Sequence, residues 1–219
     1  MKVVHLFSGG LDSTVALHQL IAEGHELRLL AIDYGQRHRK ELDFANSMAK
    51  EKAIELKQLS FPSIRELLSG SSQTSDELGV PEGHYTSENM KLTVVPNRNM
   101  IMLSIAIGWA VSLKFDAVCY AAHAGDHTIY PDCRPEFAHA VDQLAQICDW
   151  HPVKLLRPFI ELSKSQIVRK GAELEVPFER TWSCYKGLDK HCGKCGTCVE
   201  RQEAFEIARI VDPTSYEQP

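Results

Sequence analysis

Hydrophobic positions along this chain switch between two periods. Val3, Val4, Leu6 and Phe7 form a short run of β-branched, aliphatic and aromatic residues, the signature of a buried strand. Ser8-Gly9-Gly10 ends that run. Asp12, Ser13 and Thr14 are residues that cap or begin helices. Val15, Leu17, Leu20 and Ile21 then recur at helical spacing until Gly24, a stop signal. Residues 27–33 (LRLLAID) predict a second buried strand. Residues 39–52 predict a helix that turns Leu42, Ala45, Met48 and Ala49 inward, and 54–60 a third strand. Strand, helix and strand in alternation give right-handed βαβ units and a parallel sheet. Ligands of such sheets bind beyond the carboxyl ends of the strands, where Gly9, Asp33 and Tyr34 fall.

The pattern lapses over residues 69–90, which are rich in Ser, Gly, Glu and Thr. A loop of that length is either a mobile surface excursion or functional, and an active-site lid that orders on ligand binding is the functional form of it. Helical spacing resumes at 100–114, with Arg98 and Asn99 at the helix start. A cation there opposes the helix dipole, so a bound anion would explain Arg98 better than solvent does. Residues 116–122 (DAVCYAA) predict a buried strand, 136–148 a helix and 153–158 another strand, and Ser163 reads as the cap of a further helix. The turn-rich stretch between 123 and 137 holds Asp126, Asp132, Cys133 and Arg134 beyond a strand end, a common place for binding residues.

A strand that feeds a helix through glycines makes an anion site. The first amides of the helix have no partners within it, and the dipole adds about half a positive charge there. A glycine lets a phosphate approach where a Cβ would collide. The segment lacks the lysine of GxxxxGK[ST] and the spacing of GxGxxG. SGGLDS resembles instead the SGGxDS loop of the ATP pyrophosphatases, the PP-loop, which grips the phosphates leaving as pyrophosphate. An ordinary capped turn is the plain alternative. On the PP-loop reading, the amides of Gly9, Gly10 and Leu11 and the hydroxyls of Ser8, Ser13 and Thr14 hold phosphate. Asp12 repels phosphate unless a cation intervenes, so Mg²⁺ is implied.

Near the end the chain reads TWSCYKGLDKHCGKCGTCVERQEAF. Cys184, Cys192, Cys195 and Cys198, spaced C-x7-C-x2-C-x2-C among glycines, suit a tetrahedral Zn²⁺. An iron–sulfur cluster competes, and a redox CxxC pair would leave two cysteines unexplained. His191 adjoins a ligand of a set that is already complete. Cys119 and Cys148 read as apolar fillers, and Cys133, beside Arg134, is a weaker candidate for thiol chemistry.

Composition narrows the setting. At 219 residues the chain suits one domain with a small appendage. The boundaries expected are 1–180 for a nucleotide-binding α/β domain and 181–219 for a zinc-binding segment packed on it. A net charge of −5 argues against a broad nucleic-acid surface. No apolar run reaches the roughly 18 residues of a membrane span, and seven cysteines without a secretory leader point to a reducing, cytoplasmic compartment.

SGGLDST, IDYGQRHRKE, VPNRNMIMLS, YPDCRPEF and TWSCYKG with HCGKCGTCVERQEAF together resemble the 7-cyano-7-deazaguanine (preQ0) synthases, in order and over essentially the whole chain. The resemblance implies a doubly wound, five-stranded parallel α/β sheet of the adenine nucleotide α-hydrolase-like (HUP) type with a zinc-binding helical C-terminal segment. It also implies an ATP-dependent C–N ligase of queuosine biosynthesis that converts 7-carboxy-7-deazaguanine and ammonia to preQ0 through an adenylated acid and an amide. Residues Phe7, Ser8, Gly9, Gly10, Leu11, Asp12, Ser13, Thr14, Val15, Ala16 and Leu17 would hold ATP and Mg²⁺, with Asp33 and Tyr34 beside the nucleotide. Lys164 matches a phosphate-side lysine of PP-loop enzymes. Gln36, Arg98, Asn99, Asp126, Asp132 and Arg134 would line the substrate pocket, with Asp12, Lys164, Asp126 and Asp132 as catalytic groups. Zinc would be structural and the protein a homodimer, with no direct nucleic-acid partner. AAHAGD departs from the usual run before YPDCR, so His123 inherits no role, and with no glutaminase domain attached ammonia arrives free or from a partner. A tRNA thiolase or another amidating synthetase is the alternative within the superfamily. A nucleotide-sensing or zinc-ribbon interaction module is the non-enzymatic one, and it predicts binding without turnover.

Overall fold

A computed structural model describes residues 1–75, 77–85, 88–187 and 189–217. Five parallel strands, β1 (Lys2–Leu6), β2 (Glu26–Asp33), β3 (Leu56–Ser60), β4 (Ala117–Cys119) and β5 (Lys154–Leu156), form one sheet in the order β3-β2-β1-β4-β5. Strand β1 is central, pairing Val3 with Leu27 on one side and with Ala117 on the other. Alternation along it sends Val3 to one face and Val4 to the other. Helices α1 (Leu11–Ala22) and α2 (Lys40–Glu51) bury Leu17, Leu20, Ala45 and Met48 against the Val3 face. Helices α3 (Arg98–Leu113) and α4 (Pro135–Ile147) bury Leu103, Ala106, Ala138 and Val141 against the Val4 face. The apolar runs read as strands are therefore covered on both sides, as parallel strands must be.

Two more helices complete the chain. Helix α5 (Lys164–Glu173) starts at Ser163, whose hydroxyl accepts from Gln166 N while Gln166 Oε1 accepts from Ser163 N at 2.8 Å, a capping box. Helix α6 (Gly196–Ala208) begins within the cysteine run and packs Ala204 and Phe205 with Leu11, Val15, Ile167 and Val168. That contact joins the last helix to the first.

The excursion expected over 69–90 is more structured than its composition suggests. Ser71, Ser72, Gln73 and Thr74 are buried, Arg37 donates to Ser75 O and Leu78 O, Gly83 N donates to Lys194 O, and Tyr85 is buried. Residues 76, 86 and 87 of that stretch lie outside the described residues. Cys148 is corrected: at the end of α4 it is exposed rather than a core filler, because the helix ends just before it. Cys119 is fully buried. Among the described residues no helix is long and apolar enough to cross a membrane.

Candidate active site

A cavity of about 250 Å³ opens beyond the carboxyl ends of β1, β2 and β4, where the strand order reverses. The glycine loop forms its floor. Gly9 has φ +82°, and a Cβ there would sit 2.7 Å from Ala45 N and closer still to Glu41 O, so only glycine lets α2 approach. The first bond of α1 runs from Thr14 N to Gly10 O at 3.0 Å, which leaves the amides of Leu11, Asp12 and Ser13 without partners in the helix. Phe7, Ser8, Gly10, Leu11, Asp12 and Ser13 line the cavity. Gly9 and Thr14 support the loop from behind it, the latter by donating its hydroxyl to Gly10 O at 2.9 Å. Val15, Ala16 and Leu17 are core residues of α1.

Above the loop, charges from four distant segments converge. Lys164 Nζ lies 2.6 Å from Asp12 Oδ2 and 3.5 Å from Glu200 Oε2. His123 Nε2 is 3.4 Å from Lys164 Nζ, 3.6 Å from Asp126 Oδ2 and 3.9 Å from Asp12 Oδ2 and Glu200 Oε1. His123 Nδ1 accepts from Gly125 N at 3.1 Å, which turns Nε2 toward Lys164 and the carboxylates. Burial would raise the Asp12 pKa, but Lys164 and His123 outweigh it and hold the carboxyl below the usual range. Burial would likewise neutralise Lys164, but Asp12, Glu200 and Asp126 keep its pKa above the ordinary lysine value. Glu200 is raised, because burial exceeds the pull of Lys164 and His123. Asp12 Oδ1 is buried and unpartnered, a free carboxylate oxygen beside the unpaired amides at the start of α1, which fits a Mg²⁺ ligand.

The opposite end of the cavity carries phenols. Tyr34, Tyr85, Tyr130 and Tyr185 line it together with Arg98 and Asn99. The Arg98 guanidinium stands 5.9 Å from the Tyr130 ring centre. Tyr130 Oη shares a 2.5 Å bond with Thr93 Oγ1, and Tyr85 donates to Asp126 Oδ1 at 2.9 Å. Burial raises the pKa of all four tyrosines and so keeps them neutral. Burial, then Asp126, pushes the Cys133 thiol well up; it stays protonated and takes a bond from Asn99 Nδ2, which removes it as a nucleophile.

Four of the expected pocket residues do not line the cavity. Asp132 Oδ2 accepts from Asn99 N at 2.9 Å and so fixes the start of α3 beside Arg98. Arg134 donates to His127 O at 2.8 Å. Asp33 is buried and paired with Arg39 at 2.7 Å, and Gln36 Oε1 accepts from Tyr34 N at 2.9 Å. These last two shape the turn that presents Tyr34.

Beside the cavity the sulfurs of Cys184, Cys192, Cys195 and Cys198 all lie within 4.8 Å of one another, and all four residues are buried. The Cys192 and Cys198 sulfurs are 3.9 Å apart, close to the roughly 3.8 Å that a tetrahedral site with Zn–S bonds near 2.3 Å requires. Cys192 Sγ also accepts from Cys195 N and Lys194 N, as a metal thiolate does. The donor set therefore fits zinc. His191 Nε2 points away from it and accepts from Ser183 N at 3.0 Å.

A family model described as "Queuosine biosynthesis protein QueC" matches residues 2–209. The chain belongs to the QueC family. The 7-cyano-7-deazaguanine synthases of Brucella ovis and Brucella canis are each 54% identical over 220 residues, covering 99% of this chain and 94% of theirs. Among solved structures, an NMN synthetase from Francisella tularensis shares the fold at TM-score 0.52 and 15% identity, over 96% of this chain and 77% of that one. A predicted tRNA methyltransferase subunit from Methanocaldococcus jannaschii does so at TM-score 0.51 and 15% identity, over 79% and 75%.

Sequence reasoning did not reach several residues of this QueC site. His123 and Glu200 stand in the charged cluster, and Tyr85, Tyr130, Ser183, Tyr185 and Thr197 line the cavity. A signal existed for five of them. Tyr130 begins YPDCRPEF, read for Asp132 and Arg134, and Ser183, Tyr185, Thr197 and Glu200 lie within TWSCYKG and HCGKCGTCVERQEAF, read for their cysteines.

Proposed function

We propose that the chain converts 7-carboxy-7-deazaguanine to 7-cyano-7-deazaguanine, with ATP and ammonia, as the name shared by its QueC relatives implies. The observation that carries the reading is one cavity that joins the SGGLDS loop and Lys164 to Arg98 and Asp126. A carboxylate is a poor electrophile, and ATP makes it one. The loop amides, Ser8 and Lys164 hold the phosphates that leave, and Lys164 offsets the charge that develops on them. Leu6, Leu30, Ile32 and Leu42 give the cavity an apolar wall for adenine. Arg98 pairs with the substrate carboxylate, and the tyrosine faces flank its planar ring. Asp126 is the aspartate within reach to take a proton from incoming ammonium, while Asp132 acts on Asn99 instead. Mg²⁺ held by Asp12 would neutralise the phosphates, and zinc held by the four cysteines would fix the start of α6, from which Thr197 and Glu200 reach the cavity. The amide formed first is then activated in turn and dehydrated to the nitrile.

Mass spectrometry of the acid incubated with ATP, Mg²⁺, ammonium and protein tests this. Amide followed by nitrile is expected, and zinc-loaded, folded protein that yields neither would end the reading. Metal analysis is expected to return about one zinc per chain and no iron.

A further inference from the structure

The match to the QueC family model ends at residue 209, yet the chain beyond it holds one wall of the cavity from behind. Arg201, on α6, is fully buried. Its Nε faces both oxygens of Asp212 at 3.3 and 3.4 Å, its Nη1 donates to Thr181 Oγ1 at 2.8 Å and to Ser183 Oγ at 3.2 Å, and its Nη2 donates to Phe178 O at 2.9 Å. Asp212 is itself fixed by Tyr216 Oη at 2.6 Å and Thr214 N at 3.1 Å. A second arm of the tail grips His191, whose N donates to Ser215 O while Glu217 N donates to His191 O at 2.7 Å. His191 in turn accepts from Ser183 N and lies against the Trp182 ring, centres 4.3 Å apart. Thr181, Trp182 and Ser183 are thus held from behind at three consecutive residues. On the front, Trp182 N donates to Gly9 O at 3.1 Å, Trp182 O is 3.3 Å from where a Gly10 Cβ would stand, and Trp182 and Ser183 line the cavity.

We infer that residues 212–217 form a strap that sets the Thr181–Ser183 wall against the glycine loop, with Asp212 and Arg201 as positioning residues for ATP. The inference rests on reading the Ser8–Ser13 end of the cavity as the ATP phosphate site. A buried guanidinium that loses its carboxylate keeps its charge and must find other acceptors, which moves the wall it holds. The carboxylic substrate meets the opposite, tyrosine-lined end, so the strap acts on one ligand and not on the other.

Calorimetry with α,β-methylene ATP and Mg²⁺, and separately with 7-carboxy-7-deazaguanine, on full-length zinc-loaded protein tests this. Asp212→Asn is expected to weaken the nucleotide analogue about tenfold, and to shift the acid less than about twofold with zinc content unchanged. Tyr216→Phe removes one bond to Asp212 and leaves the ion pair, so about threefold in the same direction is expected. If Asp212→Asn fails to fold, Tyr216→Phe decides. Nucleotide binding equal to wild type in the folded variants overturns the inference. Equal weakening of both ligands with loss of zinc also overturns it, since the tail would then support the whole segment and not the wall. A wild-type protein that binds no nucleotide analogue sinks the ATP reading, and the strap's role with it.

Discussion

The two ends of the cavity are buried to similar degrees and solve that problem oppositely. At the loop end, Asp12, Asp126 and Glu200 gather around Lys164, which serves all three carboxylates. At the other end, four phenols surround a single guanidinium, and desolvation keeps them uncharged. The difference matches what each end must do. Under the proposed function, a loop end with three carboxylates and one lysine would accept polyphosphate only together with a cation, which would tie nucleotide binding to Mg²⁺. At the aromatic end Arg98 stands among neutral phenols with the Asp132 carboxylate nearby, and under the proposed function it would meet the substrate carboxylate while the rings offer area to a heterocycle.

The contrast can be broken at several points. The largest effect belongs to Asp12→Ala, which removes the proposed cation ligand and strands Lys164. Turnover should fall about 10³-fold or more, with zinc content unchanged. Product formation and metal analysis check it, and normal turnover would remove Asp12 from the site.

Lys164→Met should destabilise the fold by about 3 kcal/mol near neutral pH, because it leaves a buried carboxylate unpaired. The sign of the pH dependence follows from both partners. The lowered Asp12 pKa gives stability that is present above its unfolded value of about 3.9 and lost as pH falls through the folded one. The raised Lys164 pKa gives stability present below about 10.4 and lost as pH rises through the folded value. Urea unfolding of the two proteins should therefore differ most between about pH 4 and 10 and converge in acid.

Arg98→Gln acts on the other end. A charge-assisted bond to the substrate is exchanged for a neutral one, so KM for the acid should rise about 10²-fold while KM for ATP moves little. Equal changes in both would merge the two ends into one. Tyr130→Phe should do least. It deletes the buried neutral hydrogen bond to Thr93 and a long one of 3.4 Å to Tyr185, together worth about 1 kcal/mol by thermal unfolding, and leaves the loop end untouched.

How much of this site was legible depended on how many segments supply it. The loop and the cysteine cluster are contiguous, so spacing alone names their members. The strands and helices up to α5 followed from periodicity, with ends displaced by up to three residues, whereas α6 did not. The tyrosine end was legible only in part. Tyr34, Arg98 and Asn99 were expected at the site, but Tyr85, Tyr130 and Tyr185 come from three other places, and a lone tyrosine near a loop carries no periodic pattern. Asp132 and Arg134 were drawn into the pocket by their charge, yet they serve the backbone around it, because a polar side chain in a turn is as readily consumed by local hydrogen bonds as by a ligand.

Sequence by itself determined the alternating α/β order, the glycine turn at Ser8–Ser13 and the grouping of the four thiols. Each rests on interactions between residues a few positions apart, where chain geometry leaves little choice. Tertiary structure alone decided that Lys164 meets Asp12 across 152 positions, that His123 and Glu200 join them, and that Arg201 carries the tail's hold to the glycine loop. Those pairings are set by how helices α1, α5 and α6 pack on one another, and the charges that the packing buries must find partners wherever it places them.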